Sequence, residues 1–248
     1  MLLVAEPRYA SRLRQPRHAH DATTVTIILG GTLRERVGTR EEVARALSIV
    51  VKPRDTEHAD EFGEGVRTLQ IGIGGEHAAE LQRWEAGLRQ WRWQHGGPAV
   101  PAFLRLLRLR REYGAAREPV QRAAFDALAA VQALPVRRCD SGEPPRWLAI
   151  VRESLDDAPR PPRVRALADA AGVHPVYLAR QFRRWYGCSI TEHLERRRVQ
   201  TAAVVIASSS ATLSSIAHDT GFADQPHMCR SFARALGVTP GAYRVLSV

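Results

Sequence analysis

The chain has 248 residues, 44% of them hydrophobic, which supplies apolar material for one large core or two smaller ones. Its formal net charge of +10, carried by arginine apart from the single Lys52, favours a polyanionic partner: nucleic acid, anionic lipid or an acidic protein. The three cysteines, Cys139, Cys188 and Cys229, are odd in number and irregularly spaced, which excludes a disulfide framework and a CxxC metal pair; the absence of a run of ~18 apolar residues excludes a membrane-spanning segment, so a cytoplasmic protein with no membrane partner is expected.

Residues 21–75 read as short strands. TTVTIILGG is rich in β-branched residues and ends at Gly30-Gly31, TLRERVG alternates apolar and polar to Gly38, ALSIVVKP stops at Pro53, and GVRTLQIGIGG is a fourth run. Short strands punctuated by Gly and Pro predict a small antiparallel β-sandwich or barrel. The period changes near Glu76: Leu81, Trp84, Leu88 and Trp91 in HAAELQRWEAGLRQWRWQ recur at intervals of three and four, one face of an amphipathic helix. That stripe either packs on the β-domain or mediates a homodimer. PAFLRLLRLRREYG and REPVQRAAFDALAAVQALP predict two more helices, broken at Gly114 and Pro135, and PVRRCDSGEPP has linker composition. RWLAIVRESLDD opens a second helical region that continues through the C-terminal residues.

That region contains a repeat. Leu178, Arg180, Phe182 and Gly187 recur as Met228, Arg230, Phe232 and Gly237 at an offset of 50, and Leu167-Ala168 and Gly172 recur as Ile216-Ala217 and Gly221 at 49. Each copy reads as helix, tight turn, helix. The alanines permit close approach, the glycines supply a turn at positive φ, and Leu178/Phe182 and Met228/Phe232 are i, i+4 pairs that face inward. This is the pattern of a helix-turn-helix, whose second helix enters the major groove by its N-terminal part. Pro175 and Pro226 fall in first turns, where an amide would have had no helical partner, and Asp224 caps the second of these helices. With Leu, Phe and Met inward, Arg180 and Arg230 point outward, flanked in the second copy by Gln225, His227 and Cys229. Arginine suits guanine and glutamine suits adenine, while Arg183, Arg184 and Arg234 lie a turn further on, where they reach phosphates. The copies are joined by a helix opening on SITE, a capping-box spacing, which carries its two reading heads roughly 25 Å apart. Residues 144–248 hold 14 Arg against 8 acidic residues. About 100 residues of this kind are expected to fold alone and to bind the same DNA as the full chain.

Residues 144–248 resemble the DNA-binding domain of the AraC/XylS family of transcription regulators, through LADAAGVHPVYLARQFRRWYG, Arg198 and Ala202, IAHDTGFADQPHMCRSFARALGVTPGAYR, and the terminal Gly-x-x-Pro-x-x-Tyr-Arg. The resemblance implies base reading by Val176, Ala179 and Arg180 in the first recognition helix and by Gln225, His227, Cys229 and Arg230 in the second. Pro226, Met228 and Arg197 depart from the usual serine, phenylalanine and apolar residue. A regulator of this kind is not an enzyme; its partners are double-stranded DNA, RNA polymerase, a small-molecule effector and a second copy of itself. The expected architecture is α+β and multidomain: a cupin-like β sensor domain over 1–75, a helical connector over 76–134, a linker over 135–145, and an all-α domain with two helix-turn-helix units over 146–248.

The N-terminal region resembles a small cupin, the sensor domain common among these regulators. RHAHD places His18 and His20 on one side of an extended segment, and His58 follows a proline turn. Metal-binding cupins join such a pair and a later histidine to a glutamate, but Thr24 or Val25 stands where that glutamate would be. These three histidines are therefore assigned to an effector pocket, with no metal and no cofactor expected. The alternative is a metal-binding cupin enzyme or metal sensor with an attached DNA-binding domain, since three imidazoles alone hold Zn²⁺, Fe²⁺ or Ni²⁺ with open positions. A regulator without any effector is a third reading.

Overall fold

The computed structural model describes residues 2–74, 88–133, 144–157 and 162–247. The chain runs through nine strands among these residues: β1 (Leu3–Ala5), β2 (Arg14–His18), β3 (Thr23–Gly30), β4 (Thr32–Val37), β5 (Arg40–Arg45), β6 (Ser48–Lys52), β7 (His58–Phe62), β8 (Arg67–Ile73) and β9 (Arg92–His95). They form two antiparallel sheets, in the orders β1-β8-β3-β6-β9 and β2-β7-β4-β5. The four runs read as strands in the sequence are β3, β4, β6 and β8.

β3 is buried on both faces, which explains its unbroken apolar reading. Ile28 joins Leu33, Val50, Phe62 and Val66 between the two sheets, whereas Val25, Ile27 and Leu29 turn to a layer of helices on the other side. That layer is α1 (Val100–Tyr113) and α2 (Glu118–Gln132), entered through Pro101 and Pro119 in their first turns. α1 ends on Gly114, whose amide closes on the Arg110 carbonyl.

The helix predicted through Trp91 and Gln94 is corrected by β9. Arg92–His95 pair antiparallel with β6, Val50 opposite Trp93 and Ser48 opposite His95, because the exposed backbone edge of β6 takes a partner strand there. Trp91 packs its ring 4.7 Å from that of His58 and Leu88 is 3% exposed, so both of these stripe residues turn into the chain's own β-domain. Leu81 and Trp84 lie outside the described residues, as does most of the linker stretch from Pro135.

The C-terminal part is helical: α3 (Arg146–Asp157), α4 (Val164–Ala170), α5 (Pro175–Tyr186), α6 (Ile190–Ser208), α7 (Leu213–Asp219), α8 (Gln225–Leu236) and α9 (Pro240–Ser247). Two helix–turn–helix pairs, α4–α5 and α7–α8, are joined by α6, whose 19 residues measure ~28 Å at 1.5 Å per residue. Ser189 and Glu192 close a reciprocal capping box at its start.

The two pairs bury their apolar faces differently. The first has a core of its own, Leu148, Val151, Leu155, Leu167, Leu178, Phe182 and Ile190. The core of the second, around Ile216, Phe222, Met228, Phe232 and Tyr243, is continuous with Val100, Phe103, Leu107 and the helix-facing side of β3. Polar contacts reinforce this junction: Arg111 donates to the Leu246 carbonyl at 2.7 Å, and Gly237 lies against Pro101, where an added Cβ would come within 3.2 Å of Pro101 Cβ. The expectation that the C-terminal ~100 residues fold alone is therefore weakened for the second pair, whose core draws on α1 and β3.

Candidate nucleic-acid interface and sensor cavity

The two second helices are built alike. α5 starts at Pro175 behind His174, whose Nδ1 accepts the Val176 amide at 3.3 Å; α8 starts at Gln225 behind Asp224, whose Oδ1 accepts the His227 amide at 2.6 Å. Each ends on a left-handed glycine, Gly187 (φ +67°) and Gly237 (φ +69°). Each pair also turns at a glycine of positive φ, Gly172 (+66°) and Gly221 (+78°). The inward residues are Leu178 and Phe182 in α5, and Met228, Ser231, Phe232 and Leu236 in α8.

Opposite this buried face, Val176, Ala179, Arg180, Arg183 and Arg184 of α5 are exposed, and so are Gln225, Pro226, Arg230 and Arg234 of α8. His227 and Cys229 are only half-buried. His227 stands edge-on to Phe222 at 5.4 Å, and its Nδ1 accepts the Ala223 amide at 3.4 Å. Val176/Arg180/Arg184 and Pro226/Arg230/Arg234 thus form matched i, i+4, i+8 stripes on equivalent helix faces. Among the described residues Arg180 and Arg230 have no acidic partner. Arg183 and Arg234 reach back to Glu192 and Glu195 of α6 at 3.9 and 3.4 Å, exposed pairs that water screens.

The departures from the usual pattern have local accounts. Met228 is fully buried where phenylalanine is common. Arg197 bonds Asp156 of α3 at 3.3 Å, beside His193, whose Nε2 is 2.9 Å from the same carboxylate. Burial lowers the pKa of His193, but the hydrogen bond and charge of Asp156 outweigh it and leave the imidazole above its ordinary value. Arg152 bonds both Asp156 and Glu42 of β5 at 3.5 Å, tying α3 to the β-domain.

Between the two sheets, beyond the apolar plug of Ile28, Leu33, Val50 and Phe62, the interior becomes polar. A cavity of about 260 Å³ is lined by Tyr9 and Phe62, stacked at 4.0 Å, by Gln15, Thr26, Thr68 and Gln70, and by His20, Lys52 and Asp60. Lys52, the only lysine of the chain, bridges Glu35 at 2.6 Å and Asp60 at 2.7 Å inside the sandwich. Burial alone would lower its pKa; the two carboxylates outweigh burial and hold the ammonium protonated, above its usual value. Sequence reading missed this group. The signal was present, because Glu35 follows Leu33, and Asp60 precedes Phe62, in the same inward register of β4 and β7.

His18 and His58 are opposite one another across β2 and β7, and His20 lies close by, with ring centroids 4.3 to 5.1 Å apart. The three predicted histidines therefore do meet, at the edge of the cavity that His20 lines. Burial pushes the His58 pKa down to about 4, so at neutral pH it is an uncharged imidazole.

This geometry joins a β-sandwich with a polar cavity to a pair of helix–turn–helix units. Residues 2–133 match the model of the AraC-like ligand binding domain and residues 167–245 that of a helix-turn-helix domain, so the chain belongs to the AraC family. It is 40% identical over 81 residues to an AraC-like transcription regulator of Streptomyces lividans, covering 33% of this chain and 27% of that one. It is 35% identical over 107 residues to an AraC-like transcription regulator of Streptomyces antibioticus, covering 40% of this chain and 35% of that one. The chain thus spans about a third or less of the length of these relatives. Among solved structures, ToxT from Vibrio cholerae O395 aligns over 100% of this chain and 98% of its own, at 12% identity and a TM-score of 0.39.

Proposed function

We infer that the chain is a sequence-specific DNA-binding transcription regulator in which α5 and α8 read adjacent major-groove segments and the β-sandwich cavity takes a small effector. The observation that carries the reading is the pair of matched stripes, with Arg180 and Arg230 exposed and without acidic partners among the described residues at equivalent positions of two recognition helices. Arg180, Arg230 and Gln225 are assigned to base edges, with Val176 and Ala179 against thymine methyls and His227 and Cys229 at the margin of the surface. Arg183, Arg184 and Arg234 are assigned to phosphates; their contacts to α6 carboxylates are weak enough to exchange for DNA. Such a role places the chain in the cytoplasm beside RNA polymerase and makes it a non-enzyme. We divide it into a sensor half and a DNA-binding half within residues 135–145. The cavity's hydroxyls and amides suit an uncharged polar molecule, since the one ammonium there is already neutralised by two carboxylates. Dimerisation through the Leu81–Trp91 stripe loses support, because Leu88 and Trp91 turn inward.

The test is to pass fragmented genomic DNA over the pure full-length protein and sequence what is retained. Recovery of one sequence with two contact elements about one helical turn (~34 Å) apart is the expected result. Retention of DNA without any shared sequence at physiological salt would leave a non-specific polyanion binder and overturn the reading.

A further inference from the structure

We propose that His174, which stands in front of the first recognition helix, is a DNA-contacting residue that holds out a fixed donor, Nε2–H, to an acceptor atom of the duplex. The proposal rests on the reading of α5 and α8 as recognition helices. It adds a residue that neither the repeat nor the family resemblance assigns.

The first observation is the tautomer. Pro175 has no N–H, so Val176 carries the first amide of α5, and that amide donates to His174 Nδ1 at 3.3 Å. A ring nitrogen that accepts a hydrogen bond holds a lone pair. The proton of this imidazole is therefore on Nε2 and the ring is uncharged. His174 is a cap and a donor at once, which no Asp cap can be.

The second is direction. The two nitrogens lie on opposite flanks of the imidazole. With Nδ1 turned into the mouth of the helix, Nε2–H is turned away from it, beyond the N-terminal end of α5, and the residue is exposed. A helix-turn-helix enters the major groove by that end. The positive pole of the helix and the N–H both suit acceptors there, phosphate oxygens or the N7 and O6 atoms of purines. Val176 and Arg180, exposed on the same helix, share this leading edge.

The third is recurrence by a different route. In α8 the cap is Asp224, and an imidazole comes from His227, whose own amide Asp224 holds. The His227 Nδ1 accepts the Ala223 amide at 3.4 Å, so its proton too is on Nε2. The offset of 50 sets His174 against Asp224 and His227 against Tyr177, so the two imidazoles are not copies of one repeat position. Each reading head nevertheless opens with one imidazole whose Nδ1 is taken by a backbone amide and whose Nε2–H has no partner among the described residues.

The first turn of α5 does not depend on the ring for its place. Trp147 of α3 stacks on Tyr177 with centroids 6.1 Å apart, and Leu178 is fully buried. A different cap can therefore replace the imidazole without loss of the helix. Serine is such a cap, and its short hydroxyl stays against the helix instead of reaching outward.

The test uses the full-length chain and, as probe, the duplex fragment that the parent selects from genomic DNA, with a duplex of scrambled sequence beside it. His174→Ser should keep the parent's melting temperature and lose affinity about 5-fold, the size of one uncharged hydrogen bond. His174→Asp, also a sound cap but with a carboxylate that phosphates repel, should lose more. Equal loss on both duplexes assigns the N–H to a phosphate oxygen, and loss confined to the selected fragment assigns it to a base edge. His174→Ala, which removes cap and donor together, should add a fall in melting temperature. Parental affinity in His174→Ser would overturn the proposal and leave His174 a helix cap alone. Failure of the regulatory reading is a separate result, in which the parent itself selects no sequence, and this proposal falls with it.

Discussion

Arg180 and Arg230 illustrate how a side chain acquires a function from what surrounds it on the helix. Leu178 and Phe182 fix one face of α5 inward, Met228 and Phe232 do the same for α8, and the arginines are left outward without acidic partners among the described residues. Replacing either with Ala is expected to cost about 1–3 kcal/mol on the selected operator and distinctly less on random DNA; equal losses on both would reduce them to phosphate contacts. The offset of 50 made these two positions legible before any coordinates, because two registers constrain each other. Lys52, Glu35 and Asp60 carried only the weaker signal of inward register, overridden because buried charges oppose the ordinary expectation for their residue types and the three come from separate strands. His193 carries a different prediction. Its folded pKa is raised above the unfolded value by Asp156, so the bond stabilises fully below the unfolded value near 6.5 and is lost as pH rises through the folded one. Melting temperatures should therefore fall as pH increases above neutrality, and His193→Asn should flatten that slope; a variant with the parent's profile would assign the slope elsewhere.

Elements were read from sequence where one physical signal dominated. β3, β6 and β8 are rich in β-branched residues and bounded by Gly or Pro, and α5 and α8 have caps and apolar stripes. β7 was missed because its inward positions are His58, Asp60 and Phe62, so alternation places polar groups where a core pattern expects apolar ones. β9 was misread because Trp84, Leu88 and Trp91 satisfy a helical interval, and the pairing with β6 that decides the matter is not local. Glycine positions allow a clean comparison at this scale. Gly172 and Gly237 have nearly the same φ, +66° and +69°, but an added Cβ meets nothing within 4 Å at the first and Pro101 at 3.2 Å at the second. Gly172→Ala should cost the left-handed penalty alone, roughly 1–2 kcal/mol, and Gly237→Ala that penalty plus the displacement of α1. Urea unfolding of the two variants measures the difference, and equal values would show that α1 yields freely.

At the scale of the molecule, the unequal burial of the two helix–turn–helix units sets how the halves depend on each other. The first unit closes on its own core; the second shares one with α1 and the sheet. A fragment starting near Glu143 should therefore keep native amide protection in α4 and α5 but show faster exchange in α7, α8 and α9 than the full chain, because Phe103, Leu107 and Pro101 no longer cover them. Hydrogen exchange read by mass spectrometry decides this; identical protection in fragment and full chain would mean the junction adds nothing to the second unit. The division into domains read from composition is silent on such asymmetry, since a helix stripe facing its own unit and one facing a neighbour look the same in sequence.

The solitary lysine turns the sandwich into its own chemical clock. Acylating reagents attack only an uncharged amine that they can reach, and Lys52 is 7% exposed and held protonated by two carboxylates. Its modification must wait until β4, β6 and β7 separate. The acylation rate of that one peptide, followed by mass in the native protein, should be at least roughly 10³-fold below that in the urea-unfolded chain, the ratio a ~5 kcal/mol opening implies. A molecule that fills the cavity and holds the sheets together would slow the clock further, so a ligand can be sought by the silence of a single lysine, without knowledge of any DNA sequence.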